Sequence, residues 1–236
     1  MALKFSVFIL SFILASAQEV SLVDSEKDIV ILRGNRDILT YHKSEVAPPE
    51  GAKKAYRRSG FIHPLKSPKG GIVTGIHPGD HLHHLGLWHA WVKSKHGKDQ
   101  PDFWNLGKES GKVRFLKLLN KNATGFTVEQ EQVAFKGSKR EETVILKEAL
   151  SISVRTTNEA NIIDYHLTQK NVSSEKLELP IFDMEGRSPT AVPIRGIRRT
   201  ATTLLLLEKC VETATPLVPT GALFLGQPKK VMPPSR

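Results

Sequence analysis

The sequence predicts an all-β protein, an antiparallel β-sandwich, and three observations support this prediction. Residues 20–169 break into short segments rich in β-branched and aromatic side chains. Turn-forming residues separate these segments at intervals of about 8–12 residues, as at 33–36, 67–70, 77–79 and 120–125. No long segment repeats apolar residues with the 3.6-residue period of a helix. Many short strands with such spacing are typical of sandwiches and barrels of antiparallel sheet.

Each predicted strand rests on its local pattern. In chain order the predicted strands are 20–23, 28–32, 38–41, 71–74, 87–93, 112–119, 125–135, 143–146, 150–155 and 162–169. Alternation is clearest at 126–133 and 152–155, where we expect apolar residues on one face and polar residues on the other. Residues 18–183 are enough for one domain with its own core.

The N-terminus predicts export. Lys4 precedes an apolar run over residues 5–14, and small residues at 15–17 form a cleavage site. We therefore assign residues 1–17 to a signal peptide cleaved near Ala17, which makes the protein secreted or periplasmic. A membrane-spanning helix needs about 20 apolar residues, so we expect no transmembrane segment in the mature chain.

Composition excludes some classes of function. Cys210 is the single cysteine, so an intramolecular disulfide cannot form. The formal net charge is +10, but residues 18–183 carry 25 basic and 21 acidic side chains, so the body is only mildly basic. Nucleic-acid binding asks for a longer basic face, and we expect none. A local patch containing Arg57 and Arg58 could bind a carboxylate or phosphate group of a ligand.

Four histidines crowd the segment 77–84, and they mark the candidate site. On an extended strand His81 and His83 would point to the same side. Two such imidazoles can bind one divalent metal, with a third ligand from His77, Asp80 or His63, or they can flank a small ligand. Without a metal they can act as general acid and base, with Asp80 fixing a tautomer. Alternatively, the histidines only hydrogen-bond loop carbonyls around a turn.

Tryptophans follow the histidines closely. Trp88, Trp91 and Trp104 supply flat indole faces, which stack on sugar rings while polar groups bind the hydroxyls. Trp88 is either a ligand contact or part of the core, and we expect Trp91 and Trp104 in the core. The expected substrate-binding residues are Arg57, Arg58, His63 and Trp88, and the expected catalytic residues are Asp80, His81, His83 and His84.

Ordered motifs resemble a known family. They read Leu-Thr-Tyr at 39–41, Ala-Pro-Pro-Glu at 47–50, Tyr-Arg-Arg-Ser-Gly-Phe-Ile-His-Pro-Leu at 56–65, Asp-His-Leu-His-His-Leu-Gly-Leu-Trp at 80–88 and Asp-Phe-Trp at 102–104. Over about residues 28–180 the chain resembles the exported bacterial proteins catalogued as PmoA-like, or "methane oxygenase PmoA", otherwise a domain of unknown function. The resemblance implies an all-β sandwich like the supersandwich of galactose mutarotases, with residues 80–84 near the site. The chain departs from the family at Leu85, where arginine is usual; if that arginine binds an anionic or polar ligand, Leu85 weakens or removes the contact.

The chain changes character over residues 184–236. This tail holds half of the 14 prolines and one aromatic residue, Phe224, and it lacks the strand alternation of the body. We hypothesise that a frameshift joined an out-of-frame tail to the body, which would truncate the sandwich at its C-terminus. A disordered or lineage-specific tail is the alternative. The source nucleotide sequence, read in all three frames, distinguishes them.

Three hypotheses for function remain at this stage. The first is an enzyme that acts on a small-molecule or oligosaccharide ligand of carbohydrate type, a hydrolase, lyase or epimerase, with the histidines as acid and base. The second is a noncatalytic carbohydrate-binding sandwich that uses the same cleft. The third is a metal-dependent oxygenase, as the family label suggests, with His81 and His83 as metal ligands.

Overall fold

The computed structural model describes residues 19–180, 191–194, 197–207 and 224–225. Within these ranges the chain forms fourteen strands and two single-turn 3-10 helices, Lys54–Tyr56 and Leu106–Lys108. The strands are β1 (Val20–Asp24), β2 (Asp28–Arg33), β3 (Arg36–His42), β4 (Phe61–Leu65), β5 (Leu87–Trp88), β6 (Lys95–His96), β7 (Gly111–Asn122), β8 (Gly125–Lys136), β9 (Glu141–Thr156), β10 (Ala160–Asn171), β11 (Leu177–Pro180), β12 (Ala191–Ile194), β13 (Ile197–Leu207) and β14 (Phe224–Leu225).

The strands form three antiparallel sheets. The first has the order β1-β2-β3-β4-β5-β14, the second β13-β10-β9-β8-β7, and a small third sheet has the order β12-β11-β6. Most neighbours in the two larger sheets are consecutive in sequence, as expected for hairpin connections. The predicted fold class, an all-β antiparallel sandwich, is confirmed.

The main core lies between the two larger sheets. Leu39 and Tyr41 of β3 pack in one cluster with Val128, Leu150 and Leu167 of the second sheet. The last three residues are paired across β8, β9 and β10, so they form one apolar row on the inner face of that sheet. Burial of these side chains stabilises each by about 1.5–3 kcal/mol relative to exposure.

The next row of the same inner face is polar. Gln130, Glu148 and Gln169 pair across the same three strands and are only 3%, 1% and 1% exposed. Gln132 is also fully buried, two residues along β8 from Gln130. The prediction that the polar residues of 126–133 face away from the apolar ones is therefore wrong for these two glutamines.

A second core cluster lies at the end of the sandwich that holds this polar row. Its members include Phe61, Leu85, Trp88, Phe103 and Leu106, and Trp104 packs against it. Leu85 of this cluster and Ile76, which packs against it, flank the segment 77–84 between β4 and β5, and Trp104 lies between β6 and β7, so the cluster supports both parts of the candidate site.

Four predicted strands differ from the structure. Residues 71–74 hold only a single bridge, from Ile72 to Lys66, while a strand not predicted, β4, lies at 61–65. The sequence did not predict β4 because Pro64 argues against a strand: proline lacks the N–H that a central strand donates. The predicted strand at 87–93 is limited to the two residues of β5, and the predicted strands 143–146 and 150–155 are one continuous strand, β9.

Parts of both chain ends lie outside the described residues. The predicted signal peptide, 1–17, lies outside the described residues, and so does most of the tail 184–236. The described parts of the tail are β12, β13 and β14, of which β13 pairs along β10 from Ala160 to Lys170. The origin of the tail stays a prediction. Among the described residues, no helix has the length and apolar character needed to cross a membrane.

Candidate functional site: a histidine cluster beside Trp104

The segment 77–84 folds as successive turns. His81 donates its backbone N–H to Pro78 O at 3.0 Å, and His84 donates to His81 O at 2.9 Å. His77 closes the loop, because its backbone N–H donates to His84 O at 2.8 Å and its Nδ1 contacts Leu82 O at 2.6 Å. The prediction that His81 and His83 share one face of an extended strand is therefore wrong.

The turns nevertheless bring the imidazoles together, because a compact loop places the side chains of neighbouring positions close to one another. The ring centroids of His81 and His84 lie 4.9 Å apart with nearly parallel planes, and the His83 ring lies edge-on to His84 at 4.6 Å. Trp104 completes the group, with its ring 4.6 Å from His83 and 5.5 Å from His84. These four residues, His81, His83, His84 and Trp104, are the histidine cluster.

His81 forms an acid–base pair with Asp80. The carboxylate Oδ2 of Asp80 lies 3.0 Å from Nδ1 of His81, and 49% of the His81 side chain is exposed. The hydrogen bond from His81 lowers the pKa of Asp80. Since Nδ1–H is held by the carboxylate, the neutral ring keeps its lone pair on Nε2. His81 can therefore take up or release a proton at Nε2 toward a ligand at the surface.

His83 is the most perturbed imidazole of the group. Burial, followed by the neighbouring His84 and His81 rings, lowers the pKa of His83 to about 4. Burial and His81 also lower the pKa of His84. His83 is only 7% exposed. The lowered pKa favours the neutral form of the His83 ring at pH 7, and its Nε2 is a buried polar atom without a hydrogen-bond partner among the described residues.

The two predicted metal ligands, His81 and His83, have ring centroids 5.7 Å apart and planes inclined by 62°. Over the part of the chain that the structure describes, no group of three or more His, Cys, Asp or Glu residues is placed to bind a metal.

Trp88 lies beneath the cluster. It is 1% exposed, and its ring is parallel to Trp104 within 11° at a centroid distance of 6.4 Å. The guanidinium of Arg58 lies over the Trp88 ring at 4.4 Å and donates to His89 O at 3.0 Å. Trp88 is thus core, and the half-buried Trp104, expected in the core, is the indole that contacts the histidines. Leu85 is fully buried in the second core cluster.

The four expected substrate-binding residues do not form one group. Arg57 and Arg58 point in opposite directions from an extended backbone: the Arg57 side chain is 48% exposed near Glu45, whereas Arg58 is 1% exposed. His63 lies on β4 with its Nδ1 2.9 Å from the hydroxyl of Thr74. Burial lowers the pKa of His63.

Sequence reasoning missed a buried polar network next to Arg58. Glu148 Oε1 accepts from Gln132 Nε2 at 2.6 Å and from Gln169 Nε2 at 2.5 Å. His89 Nδ1 lies 3.7 Å from the same oxygen. Burial lowers the pKa of Arg58 to about 10, and the attraction of Glu148 opposes this shift. The signal was present in the sequence, since these polar residues share the phase of the apolar residues on their strands.

The fold and the site define a class: an antiparallel β-sandwich with an imidazole-rich site at one end. The chain belongs to a family of unknown function, DUF6807, whose model matches residues 28–182. This match carries no link to PmoA. No curated protein and no solved structure matches the chain, so the expected likeness to galactose mutarotases remains a prediction.

Proposed function

We propose that this protein acts on carbohydrate through the histidine cluster, with His81 as the residue that transfers a proton. The observation that carries the proposal is the pairing of an exposed imidazole with Asp80 beside two neutral imidazoles and an indole. Imidazole groups bind hydroxyls as donor or acceptor, and an indole face packs against the C–H groups of a sugar ring. The four residues therefore combine the two kinds of contact that a sugar needs.

Proton abstraction suits this site better than glycoside hydrolysis. Most glycoside hydrolases use two carboxyl groups, one on each side of the scissile bond. Here Asp80 is held by His81, and the nearby Asp102 is 2% exposed and accepts from Lys108 Nζ at 2.7 Å. A lyase or epimerase needs one base near neutral pH and a neutral donor. His81 Nε2 supplies the base, and the neutral His83 ring lies beside it, with a centroid distance of 5.7 Å.

A noncatalytic carbohydrate-binding protein is the second candidate, favoured by one observation. Asp80 and His81, the proposed acid–base pair, have side chains that are 78% and 49% exposed, so the pair lies at the surface. Shallow sites are common in binding modules, whereas catalysis generally excludes water. The metal-dependent oxygenase suggested by the resemblance to PmoA-like proteins has no comparable support.

The test compares retention with conversion of sugars. The purified protein is incubated with neutral and uronate-containing oligosaccharides, and products are separated by chromatography. H81Q keeps a hydrogen bond to Asp80 but cannot transfer a proton, so we expect turnover to fall by about 10²–10⁴-fold. K139Q is the control, because Lys139 is exposed in the β8–β9 turn and lies outside the cluster. Retention without conversion identifies a binding module, and unchanged turnover in H81Q removes His81 from the mechanism.

Export remains part of the proposal. The basic, apolar and small-residue segments of 1–17 support secretion, and a carbohydrate-acting protein outside the cytoplasm has access to polymeric substrate. N-terminal sequencing of the protein recovered from the periplasm or medium should begin near Gln18. A chain that retains Met1 would contradict this.

A further inference from the structure

A groove of about 190 Å³ crosses the outer face of the second sheet, away from the histidine cluster. It runs over four strands, from Asn120 on β7 to His166 on β10. Its residues come from the half of β8 and β9 that lies farthest from the β8–β9 turn.

Small residues on the two central strands create this groove. Gly125 and Ser153 pair across β8 and β9, and Thr127 pairs with Ser151 in the next outward-facing row. Longer side chains on the flanking strands, among them Lys121 and His166, form the walls. At Gly125 a Cβ would lie 2.4 Å from Ile152 O, so the floor has no room for a side chain there.

The floor has spare hydrogen-bonding capacity. The hydroxyl oxygens of Thr127 and Ser151 lie 2.9 Å apart, so one of the two O–H groups donates to the other. The second O–H hydrogen and the remaining lone pairs are left for a ligand. Groups that both donate and accept match a hydroxyl-rich ligand, whose own hydroxyls do the same.

The charges that border the groove are compensated within the protein. Lys121 Nζ lies 2.8 Å from Asp24, and Asp164 lies 3.1 Å from Arg155 Nη2. Ser153 also donates to Asp164 at 3.4 Å. Because each charge already has an opposing partner, the groove offers little attraction to phosphate, carboxylate or amine ligands. Its volume is below the roughly 300 Å³ of a typical drug-sized site, which limits the ligand to about one ring.

We infer that this groove is a second carbohydrate-binding site, which binds a single sugar unit of a neutral oligosaccharide independently of the histidine cluster. A second contact on the same chain raises the effective concentration of a polymer at the first. This inference does not need the histidine cluster to be catalytic.

Isothermal titration tests the inference with named probes: the tetrasaccharides of cellulose, xylan, mannan and laminarin, and tetragalacturonate as the acidic comparator. S153R fills the groove from an exposed position, and the matched control S138R places the same change in the exposed β8–β9 turn. A double variant, T127A with S151A, removes the hydroxyls without adding bulk. H81Q reports separately on the histidine cluster.

We expect at least one neutral tetrasaccharide to bind the wild type and S138R equally, and H81Q should retain binding at the groove. S153R and the double alanine variant should each weaken that binding at least tenfold, and tetragalacturonate should bind at least tenfold more weakly than the neutral probe. The inference is overturned if no neutral tetrasaccharide binds, or if S153R and the double variant retain the affinity. Loss of all binding in H81Q alone assigns carbohydrate to the histidine cluster and also overturns it.

Discussion

Arg58 and Glu148 should behave as a coupled pair of buried charges in a double-mutant cycle. The variants are R58M, E148Q and the double variant, each of which keeps approximately the volume of the original side chain. Both residues are 1% exposed, yet they make no direct ion pair within 4.0 Å among the described contacts. Their attraction acts through the buried interior, where opposite charges interact more strongly than at the surface.

The magnitude follows from the pKa of Arg58. Burial lowers it to about 10, well below the usual range of an arginine, although Glu148 opposes the shift, and one pKa unit corresponds to about 1.36 kcal/mol. The charged guanidinium therefore costs about 3 kcal/mol in the folded state with its counter-charge present. E148Q removes that counter-charge, so we expect it to lower the free energy of unfolding by about 3–5 kcal/mol.

The double variant distinguishes coupling from simple loss of packing. With both charges gone, the unpaired buried charge disappears, so the loss should be smaller than the sum of the two single losses by about 2 kcal/mol or more. Urea unfolding at pH 7, followed by tryptophan fluorescence and circular dichroism, measures all four free energies. The control cycle uses E129Q and K147M, a partly exposed pair at 3.1 Å, for which we expect coupling below about 1 kcal/mol. Additivity within about 0.5 kcal/mol at Arg58 and Glu148 would refute the reasoning.

Two further predictions concern pH and backbone geometry. The pKa of His83 is lowered from 6.5 to about 4 in the folded state, so its contribution to stability is full above about pH 6.5 and is lost as the pH falls toward 4. The free energy of unfolding should therefore fall less between pH 7.5 and pH 4.5 in H83N than in the wild type. An equal fall in both proteins would contradict the lowered pKa of His83. Gly60 has a φ of +75°, and a Cβ there would lie 2.4 Å from Gln130 Oε1, whereas Gly51, at +80°, has no atom within 4 Å. G60A should therefore lower the free energy of unfolding by roughly 1–2 kcal/mol for the left-handed backbone plus about 1–3 kcal/mol for the overlap, whereas G51A should lose only the first amount. Urea unfolding measures both losses. Equal losses would show that Gln130 moves aside without cost.

Local patterns predicted most of the strands because side-chain alternation and turn residues act over a few positions. β1, β2, β3 and the long strands β7 to β10 all lie within or around predicted segments. β4 was missed, since Pro64 argues against a strand and its pairing with β3 involves residues about 20 positions away. The segment 71–74 has strand-forming residues but makes only one bridge, which residue type alone does not disclose.

The candidate site was located by sequence but its geometry was not. Crowding of His81, His83 and His84 identified the segment, and their rings do meet. The expected strand geometry was wrong because successive turns, closed by His77, set the direction of each ring. The position of Trp104, twenty residues along the chain from His84, depends on packing against the second core cluster.

The sequence by itself determined the all-β class and the segment that carries the histidines, because strand alternation, turn chemistry and residue crowding are properties of neighbouring positions. Only the tertiary structure decided that Arg58 and Glu148 are buried, that Trp88 is core and that Trp104 contacts the imidazoles. Each of these depends on which residues, distant in sequence, pack against the side chain. Burial changes the free energy of a charged group far more than the choice of charged residue type does. The sequence shows such a residue only as a polar side chain at a position where strand alternation predicts an apolar one. Its hydrogen-bonding and charge partners are known only once the two sheets are packed together.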